Sequence, residues 1–124
     1  MLTDKDTYAS LPVTDIQRAR RFYGETLGLE IERDTDGGIM YRSGDTRLFV
    51  YPSRFKPGGH TQMSWLVADI KAEVAALRAK GIKFEEYDIP GVESEDGIMH
   101  SGPQVWTAYF KDPDGNLLGL TQIG

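Results

Sequence analysis

Cysteine is absent from the 124-residue chain. Without a thiol there is no disulfide, no thiolate-held metal and no cysteine nucleophile. Histidine is scarce, with His60 and His100 the only two. An excess of basic charge is missing as well: 14 Lys and Arg stand against 19 Asp and Glu, for a formal net charge of -5. Phosphate neutralisation needs clustered Lys and Arg, so neither nucleic acid nor an anionic membrane surface is an expected partner. No apolar run reaches the ~18 residues needed to cross a bilayer. Met1 to Thr7 is polar and acidic and lacks the apolar stretch of a secretory leader, so a cytoplasmic protein is expected. No Ser-His-Asp arrangement and no phosphate loop is visible. What is present is ordinary globular composition, 40% hydrophobic and 27% charged. That composition and length predict one folded domain over 1–124.

The chain repeats itself. Val13-Thr14-Asp15-Ile16 opens a helix-period stretch that ends at Leu27-Gly28-Leu29-Glu30, and Val67-Ala68-Asp69-Ile70 opens another that ends at Lys80-Gly81-Ile82-Lys83. Asp15 and Asp69 are good N-caps, because a carboxylate accepts from the orphan N–H groups of a first helical turn. Ile16, Ala19, Phe22, Tyr23 and Leu27 form one apolar stripe, and Ile70, Val74 and Leu77 another. Gly28 and Gly81 suit the left-handed residue that ends a helix. Around the first helix, strands are predicted at Tyr8–Val13, Leu29–Arg33, Ile39–Arg42 and Thr46–Tyr51, with turns at Asp36-Gly37-Gly38 and Ser43-Gly44-Asp45. Around the second, they are predicted at Gln62–Val67, Ile82–Tyr87, Gln104–Phe110 and Asn116–Gln122. Ile89 to Gly102 has no period and is predicted as a long loop. Asp112-Pro113-Asp114-Gly115 matches a type I turn.

The expected organisation is therefore two β-α-β-β-β modules, at about 7–52 and 61–123, joined by a linker at 53–60. Either module alone buries too little apolar surface to be comfortably stable, so the two are expected to pair. The expected class is α+β: paired βαβββ modules forming a curved, half-barrel mixed sheet with the helices outside and a cleft on the concave side.

Asp15-Ile16, Arg21-Phe22-Tyr23-Gly24 with Leu27-Gly28-Leu29, Val67-Ala68-Asp69-Ile70, and Phe110-Lys111-Asp112-Pro113-Asp114-Gly115-Asn116 resemble the vicinal oxygen chelate superfamily. That superfamily takes in glyoxalase I, bleomycin-resistance proteins and extradiol dioxygenases. The resemblance runs from about Thr7 to Gln122 and implies the paired-module fold; fold does not settle function. It also implies where metal ligands would stand. Those positions hold Tyr8, Phe49 (with Tyr51 on the same face), Gln62 and Gly119 here, where the metalloenzymes carry His or Glu. Gly119 and Phe49 have no donor, Gln62 is a weak neutral one, and Tyr8 would have to lose a proton with an ordinary pKa of ~10. A divalent ion needs charged or imidazole donors. The expectation is no metal and no other cofactor.

Strand parity puts Tyr8, Ser10 and Pro12 on one face, with Phe49 and Tyr51, with Gln62, Ser64 and Leu66, and with Leu117, Gly119 and Thr121. Trp65 and Trp106 are taken to lie on neighbouring strands. The expected ligand-binding set is Tyr8, Phe49, Tyr51, Gln62, Ser64, Trp65 and Trp106, an aromatic lining for a small planar compound. The predicted loop carries Glu93, Glu95, Asp96 and His100 and matches a segment that folds over the cleft in relatives. The run Arg18, Arg20, Arg21 reads as a solvated helix face or a partner for Glu25.

Three functions are consistent with this reading. One is a metal-independent binder that sequesters an aromatic or cationic compound, which the acidic charge and aromatic lining suit. A second is a metal-dependent lyase, isomerase or dioxygenase of the glyoxalase I kind. A third is a metal-free enzyme with His100, Glu93 or Tyr8 as its acid and base. The resemblance also implies a homodimer.

Overall fold

The computed structural model describes residues 1–54 and 56–124, with the backbone alone for Ser101; Phe55, in the predicted linker, lies outside the described residues. The chain divides into two compact units, Met1–Gly58 and Gly59–Gly124, and the boundary falls inside the predicted linker. The fold is α+β, built from two mixed sheets that do not close into barrels.

In the first unit, β1 (Ala9–Val13) leads into helix α1 (Ile16–Arg20), which continues as a π-helical turn over Arg21–Thr26. Asp15 caps α1, its carboxylate accepting from the N–H groups of Gln17 at 3.0 Å and Arg18 at 3.1 Å. One uniform helix is predicted here. Instead the last turn widens, and the Leu27 N–H donates to the Phe22 carbonyl at 2.9 Å. Gly28 then takes a φ of 74°, and the Leu29 N–H reaches back to Tyr23 O at 3.0 Å. That closure is one residue wider than a Schellman stop, in keeping with the π turn before it, and it needs the left-handed residue that glycine supplies.

β2 (Glu30–Thr35), β3 (Gly38–Ser43) and β4 (Thr46–Pro52) complete the unit in the spatial order β1-β4-β3-β2, with β1 parallel to β4 and the other pairs antiparallel. Alternation along the strands builds the core. Leu11, Val13, Ile39, Tyr41, Leu48 and Val50 are buried, and Ala19 and Tyr23 of the helical segment are buried with them. α1 packs against β4. Three ion pairs tie the surface together. Glu32 on β2 accepts from Arg42 at 3.2 Å and from Arg47, and Arg20 of α1 donates to Asp34 at 2.7 Å. The arginine-rich helix face is thus tied to β2 through Asp34, where Glu25 is the partner predicted.

In the second unit, β5 (Thr61–Leu66) precedes α2 (Ile70–Ala79). The Asp69 carboxylate accepts from Ala72 N–H at 3.1 Å, and the Gln122 side-chain oxygen accepts from Ile70 N–H at 2.8 Å. Four strands follow: β6 (Glu93–Glu95), β7 (Ile98–Gly102), β8 (Val105–Lys111) and β9 (Leu117–Ile123), in the spatial order β5-β9-β8-β7-β6. β5 runs parallel to β9, as β1 does to β4. α2 packs on β8 and β9 over buried Ile70 and Val74.

Two predictions fail in this unit. Ile82–Tyr87 is not a strand: only Phe84 bridges to Phe110, and the Glu85 N–H donates to Tyr109 O at 2.7 Å. Ile89–Gly102 is not a featureless loop, because β6 and β7 form a hairpin through Asp96 (φ 54°) and Gly97 (φ 80°). Two consecutive positive φ values are the type I′ geometry that Asp-Gly favours. Glu-Ser-Glu carries no apolar alternation, so nothing but that dipeptide signals the strand. The edge of β8 that one strand would cover is shared between β7 and the short 84–85 contact.

The Asp-Pro-Asp-Gly-Asn turn enters β9 as predicted. Asp112 and Asn116 are 4% and 0% exposed. The Asp112 carboxylate accepts from Asp114 N–H at 2.9 Å, Asn116 N–H at 2.8 Å and the Asn116 side-chain amide at 2.7 Å. A buried carboxylate stays favourable only when several donors replace its water.

Candidate ligand-binding faces

Each sheet has a face covered by its helix and an open face. On the open face of the first sheet, Phe49 on β4 stands between Ser10 of β1 and Met40 of β3 in register. Its ring stacks on Tyr51 at 6.0 Å and 12°, and the Tyr8 ring meets it edge-on at 6.2 Å. Tyr8, 55% exposed, leads into β1 and is the solvent end of this row. Gly38 is close to the middle of the row: a Cβ there would come within 2.6 Å of both the Phe49 ring and the Val50 carbonyl. The residue must therefore be glycine for the Phe49 ring to lie where it does. Sequence parity brings these three aromatics together, and they form one strip, exposed at Tyr8 and half-buried at Phe49 and Tyr51.

On the second sheet the open face carries Ser64 of β5, Thr107 and Tyr109 of β8, and Gly119 and Thr121 of β9, aligned by the pairs Ser64–Gly119, Tyr109–Gly119 and Thr107–Thr121. A hollow of about 610 Å³ opens there, lined by His60, Thr61, Tyr87, Met99, Thr107 and Tyr109 among others. Tyr87 and Tyr109 meet edge to face at 6.1 Å. Burial, and then the charge of Glu85, pushes the Tyr87 phenol above its ordinary value. It is a hydrogen-bond donor at neutral pH and shares the lining of the hollow with the Tyr109 ring and Thr107. Such a lining can stack a planar ring and fix one polar group on it.

The sequence-based site set divides when placed on these faces. Ser64 faces the open side. Gln62 sits at a register shift between Thr61 and Met63 and is committed to structure, its side-chain amide donating to Asn116 Oδ1 at 3.3 Å. Trp65 lies on the opposite side of β5 from Ser64, its ring stacked on buried Phe110 at 6.2 Å and 7°. Trp106 is on the helix-bearing side too, stacked on His100 at 4.9 Å and 4°. Nor are the two tryptophans on neighbouring strands, because β9 runs between β5 and β8. Glu93 pairs with His100 across β6 and β7, and both line a second hollow of about 710 Å³ against α2. His100, Glu93 and Trp106 thus share a surface with the helix and lie on the other side of the sheet from Ser64 and Tyr109. The physical reason is register: alternation says that neighbours face opposite ways, but the pairing decides which set meets the helix.

His60, Tyr87, Met99 and Tyr109 were missed in the sequence. The signal for Tyr109 was available, since it is an odd-numbered step from Trp106 and shares the parity of Thr107. Tyr87 and His60 lie outside regular strands, where parity says nothing.

The four positions that the resemblance marks for metal ligands hold Tyr8, Phe49, Gln62 and Gly119. At Gly119 a Cβ would come within 2.5 Å of Ser64 Oγ and 3.1 Å of the Tyr109 ring, so packing fills the place of a longer side chain. Among the described residues no three of His, Asp and Glu converge as a metal site would require. No helix among them is long and apolar enough to cross a membrane.

Two β-α-β sheet modules, each with an aromatic-bearing open face, define a class, and comparison assigns the family. The model of the Glyoxalase/Bleomycin resistance protein/Dioxygenase superfamily matches residues 6–120, and the chain belongs to that superfamily. No curated protein matches it in sequence. Solved structures do. A Bacillus anthracis protein assigned to the glyoxalase family shares 21% identity at a TM-score of 0.77, over 98% of this chain and 96% of its own. A glyoxalase family protein from Enterococcus faecalis shares 22% at 0.74, over 98% and 99%. TnmS3, an antibiotic binding protein from a Streptomyces species, shares 26% at 0.75, over 100% and 99%.

Proposed function

We propose that this chain binds a small aromatic or cationic compound on its open sheet faces, without a resident metal. The observation that carries the reading is the Tyr87–Tyr109 pair around the 610 Å³ hollow. That volume falls within the ~300–1,000 Å³ of small-molecule sites. The half-exposed Tyr8–Phe49–Tyr51 strip supplies a second stacking surface of the same chemistry. The net charge of -5 favours a cation in the encounter. The similarity to an antibiotic binding protein supports sequestration rather than turnover. The single-domain organisation, the homodimer and the cytoplasmic location belong to the same proposal.

Titration with ethidium, a planar aromatic cation, tests the binding. Saturable one-to-one binding that weakens in Tyr109→Ala supports it. Equilibrium dialysis against Zn, Ni, Mn and Fe tests the metal. Stoichiometric uptake of any of them, with turnover that follows the metal, would overturn the metal-free reading. Sedimentation of the free chain reports the dimer, and a monomer at all concentrations removes that part.

A further inference from the structure

The hollow on the helix side of the second unit is unused by the function proposed above, and it collects three residues that the sequence already singled out. Glu93, His100 and Trp106 form a cross-strand row over β6, β7 and β8. Opposite them, Lys71, Val74, Ala75 and Arg78 of α2 stand at i, i+3, i+4 and i+7, one face of the helix. One end is closed. The Arg78 guanidinium donates to the Asp96 carbonyl at 2.6 Å and lies over the Phe84 ring at 5.6 Å, which pins the hairpin tip to α2. A Cβ at Gly97 would meet Phe84 at 3.2 Å, so the tip is seated closely.

The other end is chemically open. Among the described residues, the side chains of Lys71, Glu93 and Glu95 make no hydrogen bond or ion pair, and the His100 side chain has only its ring contact with Trp106. One hollow of about 710 Å³ therefore presents a flat aromatic pair, an uncommitted ammonium and uncommitted carboxylates. We infer that this helix-side hollow is a second ligand site, for a small aromatic molecule that carries both a positive and a negative group. Its ring would lie against Trp106 and His100, its cation beside Glu93 and Glu95, and its anion beside Lys71. A ligand of single charge would leave one set of these groups without a partner, and would meet a like charge at the other.

The test uses the whole, ¹⁵N-labelled chain and L-phenylalanine as the probe, with benzylamine and phenylacetate as its single-charge analogues. Phenylalanine is expected to shift the Trp106 indole resonance and the amides of 93–100 in a saturable way. Each analogue is expected to bind about fivefold more weakly, as is phenylalanine to Lys71→Ala or Glu93→Gln, the effect of one exposed ion pair. Trp106→Ala is expected to lose about tenfold through the ring contact. Both charge variants lie at exposed positions, so the test stands even if Trp106→Ala does not fold. Tyr109→Ala, on the other side of the sheet, leaves the binding unchanged, which separates this site from the open-face one. Absence of saturable shifts at the hairpin, shifts confined to Tyr87 and Tyr109, or equal affinity for all three probes would overturn the inference.

Discussion

Asn116→Ala should remove the buried clasp that sets β9 against β5. The Asn116 side-chain amide donates to the Asp112 carboxylate at 2.7 Å, and its oxygen accepts from Gln62 at 3.3 Å. Both Asn116 and Asp112 are sealed from water. Losing the bond to a charged acceptor costs about 1.5–3 kcal/mol, and losing the neutral one about 0.5–1.5 kcal/mol. The expected total is roughly 2–4 kcal/mol, a large part of the ~5–15 kcal/mol that holds a small domain folded. At a urea dependence near 2 kcal/mol per molar, the midpoint falls by about 1–2 M. Urea titration followed by both far-UV circular dichroism and tryptophan emission measures it. Coincident curves license the two-state reading. Asn116→Asp keeps the shape but sets a second carboxylate against Asp112. Its loss should exceed that of Asn116→Ala at neutral pH and shrink on acidification, because a protonated carboxyl can donate again. A midpoint shift below about 0.3 M for Asn116→Ala would refute the reasoning, since it would put the clasp under the cost of one exposed hydrogen bond.

Three further outcomes follow from particular contacts. Gly119→Ala should cost about 1–3 kcal/mol by overpacking against Ser64 and Tyr109, and Ser64→Gly in the same chain should restore part of it, as thermal unfolding of the single and double variants will show. Asp69→Ala should cost about 1 kcal/mol through loss of the α2 cap, read by urea titration; no loss would mean that Gln122 alone satisfies the first turn. Acid should weaken the first unit. Hydrogen bonds from Arg47 and Arg42 hold Glu32 below its ordinary 4.5, and Arg20 holds Asp34 below its ordinary 3.8. Depressed folded values mean stability that is present above the ordinary values and lost as pH falls through the lower folded ones. Stability measured from about pH 6 down to pH 2 should therefore fall below about pH 4.5, with a shallower slope in Glu32→Gln. An unchanged slope would show that these pairs contribute nothing to folding.

Much of the architecture was legible because its causes are local. Asp15 and Asp69 cap helices with their own side chains, Gly28 and Gly81 take the positive φ that ends them, and Asp112 organises its turn within five residues. The hairpin of β6 and β7 was less legible, because Glu93 and Glu95 lie on an edge where burial does not select apolar residues. The widened turn at 21–26 has no signature in residue period at all.

The amino-acid order by itself determined the repeat, the two capped helices, the alternation along each strand and the poverty of metal donors at Tyr8, Phe49, Gln62 and Gly119. Those follow from side-chain chemistry and from contacts a few residues apart. Only the tertiary structure decided that Trp65, Trp106 and His100 turn toward the helix while Tyr109 and Ser64 turn away. A strand's two faces are equivalent until distant strands pair with it, and the register shifts at Thr61/Met63 and His100/Gly102 reset the count on the way.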